Sequence, residues 1–443
     1  MKKLAIHGGE KVRTEPFPAY NTIGKEEEEA TLRVLRSGKL STYLGTWHDD
    51  FYGGTEVQAL EREWEAYFGV KHAISVNSAT SGLYAAVGAL GILPGDEIIV
   101  SPYTMSASAT AALIYGAIPV FADIEEAFYC LDIDDIERKV TTKTKAIIVV
   151  DIFGGVHDND ALLALAKKHN LKIIEDSAQA PGVKYRDKYI GTLCDIGIYS
   201  LNYHKHIHSG EGGIIVTDDD ALAHKLRLIR NHAEAVLGAK TVKNEEVPLG
   251  YKKELINMVG FNYRMTEIEA AIAREQLKKL PALIARRLEN IAYLNRGLSQ
   301  IPCLKIPKIR ENSQHAFYVH PLQFDESIAG VHRDIFIDAV KKELPRTLLR
   351  EESEVLLSYG YVTPLYKLPI YQERVAFGDY PFNLSDVNYT KVQCLVVEDM
   401  HFNKLVTHEF MRPGMKKSDM DDVVAAFKKV WEYRDELKIS YDN

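Results

Sequence analysis

Cysteine is scarce in the 443-residue chain: there are four, Cys130, Cys194, Cys303 and Cys394. They stand far apart and form no CxxC pair, which argues against a structural zinc site and a thioredoxin-like motif; a reducing, cytoplasmic setting is expected. Basic blocks are missing as well. Lys and Arg number 54 against 62 Asp and Glu, a net charge of -8. A nucleic-acid surface needs clustered cations to meet phosphates, so no nucleic-acid partner is expected. Long apolar runs are also lacking, since "AAVGALGIL" and "AIIVVDIF" are too short to span a bilayer. The N-terminus "MKKLAIHGGEKVR" turns polar after three apolar residues, too few for the apolar core of a secretion signal, so no membrane role is expected. No repeat, low-complexity tract or long Gly/Ser linker interrupts the chain, which predicts lobes that pack tightly.

What is present is the composition of an ordinary globular protein, 46% hydrophobic and 26% charged, in a chain too long for one small core. From about residue 30 to 280, short β-rich runs alternate with helical stretches, the pattern of parallel strands joined by crossover helices. Seven strands are predicted, "HAISV", "DEIIVS", "IPVFAD", "KAIIVVD", "KIIED", "DIGIYSL" and "GGIIVT", each rich in Ile or Val and bounded by Gly, Pro or Asp. Between them lie helices such as "DALLALAKKHN", with Leu162, Leu165 and Ala166 on one face. A long helical region from "YRMTEIEAAIAREQ" onward, interrupted near Pro281, is expected to lead into a second lobe. The division expected is an N-terminal arm (1–30), a large α/β domain (31–281) and a small C-terminal domain (282–443). The mixed-charge segment 234–258 is expected to be an exposed loop over a site or a partner.

Four stretches carry candidate chemistry. In "SLNYHKHIHSGEGG", His204, His206 and His208 alternate with Lys205 and Ile207, and on an extended chain the three rings would share one face. That is a metal reading, but no carboxylate or cysteine is spaced to complete the set, so they are expected to surround Lys205 and no metal is expected. Gly210, Gly212 and Gly213 open a strand rather than a helix, which excludes a dinucleotide loop, and a Walker A pattern is absent. In "SVNSATSG" a strand ends in small hydroxyl residues and a helix begins at once, so Ser78, Ala79, Thr80 and Ser81 either form an anion site or simply cap the helix. "KIIED" puts Glu175 and Asp176, followed by Gln179, at the carboxyl edge of the sheet, where open α/β sheets bind ligands. A carboxylate there serves equally as metal ligand, base, helix cap or partner of a protonated ring nitrogen. Lys205 then follows the strand "IGIYSL", crowded by Tyr203 and two histidines, a setting that favours a nucleophilic amine. A phosphate cradle, a carboxylate and a Schiff-base lysine are together the parts that hold pyridoxal phosphate.

Through "NSATSGLYAAVGALGILPGDEIIVSPYT", "GAIPVFADI", "EDSAQAPG", "YSLNYHKHIHSGEGGIIVTDD" and "GFNYRMTEIEAAIAREQL", the chain resembles the DegT/DnrJ/EryC1/StrS sugar aminotransferases. The resemblance is close over residues 28–280 and loose in the last third. It implies fold type I, with a mostly parallel seven-stranded sheet between helices and a smaller C-terminal α+β domain. It further implies that Lys205 carries the cofactor, pyridoxal 5'-phosphate, and that Asp176 pairs with its ring nitrogen. Gln179 would lie near the cofactor's phenolic oxygen, Ser78, Ala79, Thr80 and Ser200 at the phosphate, and Met105 on the ring face. Asn262 matches the asparagine that reaches the phosphate from the other subunit, which implies a homodimer with shared sites. Four positions depart from the common pattern: Met105 for an aromatic, Ala79 for a glycine, and Asp151 and Tyr366 for histidines.

The activity implied is transfer of an amino group from L-glutamate or L-glutamine to a keto-sugar. The acceptor expected is a nucleotide-linked 3- or 4-keto-6-deoxyhexose bound for a surface glycan or natural product. "LAIHGGEKVRTEPFP" and "GTWHDDFYGGTEVQALEREWEAYFG" resemble instead members that act on keto-inositols or make aminobenzoate precursors in antibiotic pathways. Two rivals are a sugar dehydratase and a non-catalytic partner that keeps the fold. The dehydratase subgroup has histidine at the lysine position, whereas Lys205 is present here.

Overall fold

The computed structural model describes residues 3–46, 48–234, 258–348 and 354–438. The proposed loop 234–258 therefore lies, but for its two end residues, outside the described residues. The predicted strands form one seven-stranded sheet: β1 (His72–Val76), β2 (Glu97–Val100), β3 (Ile118–Phe121), β4 (Thr144–Val150), β5 (Lys172–Asp176), β6 (Ile196–Ser200) and β7 (Gly213–Thr217). Their order is β1-β7-β6-β5-β4-β2-β3. β7 runs antiparallel to both neighbours, and the other adjacent pairs are parallel.

Both faces of this sheet are buried, and the period-2 geometry of strands sorts its residues between two cores. Ile98, Val100, Ile148, Val150, Ile174, Ile196 and Ile198 face one way, toward α1 (Ala79–Ala89), α2 (Ser106–Ile114) and α3 (Asp220–Arg230). Ile99, Ile147, Val149 and Ile173 face the other way, with Leu162 and Leu165 of the helix Asn159–His169. This alternation is what later separates Asp176 from Glu175.

α4 (Glu267–Leu298) begins in a capping box between Thr266 and Glu269 and runs through Pro281 without a break. The predicted interruption is thus corrected. A proline inside a helix costs on the order of 3 kcal/mol, and burial of Leu277, Leu280, Ile291 and Leu294 on either side outweighs it. The carboxyl end of α4 packs into a second core around an antiparallel sheet of β8 (Leu304–Lys305), β9 (His320–Phe324), β10 (Leu357–Tyr359) and β11 (Leu405–His408), ordered β8-β9-β11-β10. Leu4 and Phe17 of the N-terminal stretch belong to that second core. Residues of the stretch from Leu365 to Leu405, in contrast, pack against the large sheet. Among the described residues no helix is long and apolar enough to cross a membrane.

The junction of the lobes holds neutral histidines. Burial pushes His315 and His408 down to about 3, against an ordinary value of about 6.5. His315 Nδ1 accepts the Phe317 N–H at 2.9 Å, which requires a bare nitrogen. A group whose folded pKa is depressed contributes stability above its unfolded pKa and loses it as pH falls. His315→Asn keeps an acceptor there but does not titrate. The stability of wild type relative to that variant is expected to shrink by about 1.4 kcal/mol between pH 7.5 and 5.5, measured by urea unfolding at both pH values. A pH-independent difference would mean that His315 titrates in the folded protein as it does in the unfolded chain.

Candidate functional site

Four segments converge at the carboxyl edge of the large sheet. β1 ends at Val76, and Ser78 caps α1 by accepting the Ser81 N–H at 3.0 Å. Asn77 Oδ1 holds the Ser81 hydroxyl at 2.6 Å. The first N–H groups of a helix have no partner within it and carry the positive end of its dipole, and at α1 these belong to Ala79 and Thr80. β7 can approach this helix start only because it opens with glycine: a Cβ on Gly213 would lie 2.6 Å from the Ala79 nitrogen. Gly213 thus serves helix–sheet packing, whereas Gly210 and Gly212 take positive φ in the turn before it.

β5 delivers Asp176, almost wholly buried. Its Oδ2 accepts the Ser108 hydroxyl of α2 at 2.8 Å and its Oδ1 the Ala178 N–H at 3.2 Å. Burial raises its pKa, opposed by those two hydrogen bonds and the charge of Lys205. Gln179 is clamped, its Oε1 accepting the Phe153 N–H at 2.7 Å and its Nε2 donating to the Tyr361 hydroxyl at 3.2 Å.

Between β6 and β7 the chain is a closed loop rather than an extended run. The N–H groups of Leu201 and Tyr203 bond the carbonyls of Gly212 and Gly210, at 2.9 and 2.8 Å. The three histidine rings therefore do not share a face, and the alternation argument for them fails on geometry. His204 sits at the cavity, His206 is buried with Nε2 donating to the Ala316 carbonyl at 3.1 Å, and His208 packs on Tyr203. Lys205 stands at the tip with its Nζ 4.3 Å from the centre of the Tyr318 ring.

Ser78, Ala79, Thr80, Met105, Asp176, Gln179, Ser200 and Lys205 all line one cavity of about 360 Å³. Asn262 does not: it is exposed, and its side chain accepts Arg264 Nε at 2.8 Å. Met105 is 63% exposed at the mouth. Two other departures lie away from the cavity, Tyr366 in the core donating to Glu398 and Asp151 behind the sheet. The cavity also uses Thr104, Asn202, Glu211, Tyr318 and Tyr361, which sequence reasoning did not single out. The serine-rich "PYTMSAS" was the available signal for Ser108, while the tyrosines come from the loosely matched last third.

The side chains suit pyridoxal phosphate. A helix start with hydroxyls from Ser78, Thr80 and Ser200 suits the phosphate, a buried carboxylate suits a ring N–H, and an amine stands in the same cavity.

The comparisons with known proteins agree with that chemistry. A model of the DegT/DnrJ/EryC1/StrS aminotransferase family matches residues 22–427. The spore coat polysaccharide biosynthesis protein SpsC of Bacillus subtilis is 33% identical over 92% of this chain and 95% of its own length. The L-glutamine:2-deoxy-scyllo-inosose aminotransferase of Streptomyces lividus is 32% identical over 98% of this chain and 99% of its own. Among solved structures, an aminotransferase from Psychrobacter cryohalolentis superposes with a TM-score of 0.78 at 27% identity, covering 94% of this chain and 99% of that one.

Proposed function

Because the chain belongs to the DegT/DnrJ/EryC1/StrS family and is a pyridoxal-phosphate-dependent aminotransferase, we propose that Lys205 and Asp176 are its catalytic pair. The observation that carries this is their joint presence, with the helix start at Ala79 and Thr80, in one cavity. When bound, the cofactor supplies an electron sink for a carbanion at the substrate carbon. Lys205 anchors it, and once released its Nζ takes the α-proton of the amino donor. In the second stage the same nitrogen returns a proton to the carbon that receives the amino group. Asp176 would accept a hydrogen bond from the ring nitrogen and keep it protonated, with Ser108 orienting the carboxylate. Ala79, Thr80, Ser78 and Ser200 would hold the phosphate, Gln179 would stand by the phenolic oxygen, and Met105 would cover the ring, all of them lining the one cavity. Asn262, exposed and away from its own cavity, reaches the phosphate of a second copy in a homodimer with shared sites.

The donor is L-glutamate or L-glutamine, and the acceptor a nucleotide-linked 3- or 4-keto-6-deoxyhexose in a cytoplasmic amino-sugar pathway. The polysaccharide role of SpsC supports this acceptor class. A keto-cyclitol is the second reading, favoured by the near full-length match to the scyllo-inosose enzyme.

A visible spectrum of the cofactor-loaded protein tests the first stage. Addition of L-glutamate or L-glutamine is expected to shift the bound cofactor's band to that of its aminated form. A band that forms but responds to neither donor would favour the dehydratase or the non-catalytic partner. No band at all would remove Lys205 from the role given to it. Acceptor choice is then read by adding a keto-hexose nucleotide or scyllo-inosose to the aminated protein and watching which one restores the starting band.

A further inference from the structure

On the opposite face of β5 from the cavity lies a second cluster that the transamination does not use. Strand alternation turns Glu175 away from Asp176, into a buried space shared with His157, Asp151 and Cys194. The candidate ligand atoms of His157, Glu175 and Cys194 all lie within 4.8 Å of one another. Both carboxylate oxygens of Glu175 and Nε2 of His157 lack a hydrogen bond of ordinary geometry, although both residues are enclosed; the Gly191 N–H and the Cys194 thiol stand near enough to Glu175 to oppose the rise in pKa that burial causes. Unpartnered polar atoms cost on the order of 1–3 kcal/mol each when buried, so three of them aimed into one space call for an occupant.

The histidine is prepared for one. His157 Nδ1 donates to Asp151 at 3.0 Å, and Asp151 is itself held by the Ser177 hydroxyl at 2.6 Å. A carboxylate on Nδ1 fixes the tautomer, leaves Nε2 bare and makes it more basic, which is how ligating histidines are oriented in metal sites. Nε2 stands 3.9 Å from Glu175 Oε1. That is too long for a hydrogen bond and wider than the roughly 3.4 Å between two tetrahedral ligands at about 2.1 Å from one ion, so binding would draw the two side chains slightly together. A nitrogen, a carboxylate and a sulfur suit a borderline-soft cation rather than Ca²⁺ or Mg²⁺.

We propose that His157, Glu175 and Cys194 bind one divalent cation of the zinc class, with Asp151 as the positioning residue behind His157. Burial raises the pKa of both Glu175 and Cys194, so binding displaces their protons, and the ion's two charges then match a carboxylate and a thiolate. Cys194 is only partly buried, which gives the ion a way in. The site ties the end of β5 to the segment after β4 and to the turn before β6, one residue from Asp176. It is a structural pin under the catalytic edge.

The test uses the full-length, cofactor-loaded protein, treated with chelator, desalted, and incubated with Zn²⁺ or Co²⁺ alone. Expected are about one equivalent of metal retained through gel filtration and, with Co²⁺, a thiolate-to-cobalt charge-transfer band. Cys194→Ser should abolish the band. His157→Gln and Cys194→Ser should each lower retention about tenfold or more, as loss of a ligand predicts, whereas Cys130→Ser should change neither. If these variants fail to fold, alkylation of Cys194 in the wild-type protein, mapped by mass spectrometry, gives the same answer. Zn²⁺ should slow it about tenfold or more. The proposal is overturned if the wild type retains no metal, if Co²⁺ shows no thiolate band, if retained metal survives in folded Cys194→Ser and His157→Gln, or if Zn²⁺ leaves the alkylation rate of Cys194 unchanged.

Discussion

Lys205→Ala is expected to lower kcat by more than about 10⁴-fold, because the proposed function gives one side chain two jobs. A positioned acid–base group contributes on the order of 10²–10⁴, and loss of the covalent anchor adds to it. The fold should be indifferent. The loop that presents Lys205 is closed by backbone hydrogen bonds from Leu201 to Gly212 and from Tyr203 to Gly210. Lys205 is partly exposed, so truncation leaves no large cavity, and an unfolding midpoint close to wild type is expected. Steady-state turnover with donor and acceptor, read beside the bound-cofactor spectrum, separates the roles. The variant should still take up cofactor through the helix start at Ala79 and Asp176 but lose the lysine-linked band. Substantial transamination by this variant would end the assignment of Lys205 as acid–base residue, and a collapsed fold would show that it had a structural task.

Much of this architecture was legible in the sequence, for physical reasons that also mark where legibility stopped. The seven strands of the large sheet are enclosed on both faces, so each is a short Ile- and Val-rich run with sharp polar boundaries, and "KIIED" coincides with β5 residue for residue. Ser78, Asp176, Gln179, Ser200 and Lys205 could be grouped because each follows or ends a strand of one sheet, whose carboxyl ends share an edge. Tyr318 and Tyr361 follow no such rule. They reach the cavity from beside β9 and β10, through tertiary contacts that no local pattern encodes. The period of the histidine run carried no information about the site, since alternation implies a shared face only on an extended chain and this segment closes on itself. Pro281 misled in the opposite sense, because a local penalty was weighed without the packing of the 32-residue helix around it.

Asp176→Ala should cost about 10²- to 10⁴-fold in the first half-reaction. Removing one partner of a buried charge pair costs on the order of 3–5 kcal/mol, and about 1.4 kcal/mol is a decade of rate. The loss should fall on the rate of donor deamination more than on cofactor retention, because the proposed phosphate contacts at α1 and the proposed lysine anchor remain. Glu175 cannot take over, although it is the next residue. The pleat points it to the opposite face, where Ile173 packs while Ile174 faces the cavity side. Ser108→Ala offers a graded comparison. It removes a single hydrogen bond to the carboxylate, worth roughly 1.5–3 kcal/mol when the acceptor is charged, and the Ala178 N–H still holds Asp176 in place. Stopped-flow measurement of the donor half-reaction should therefore order the proteins as wild type, Ser108→Ala, Asp176→Ala. Equal rates for wild type and Asp176→Ala would place the ring nitrogen elsewhere, and a Ser108→Ala defect as deep as that of Asp176→Ala would mean that orientation of the carboxylate, rather than its charge, sets the rate.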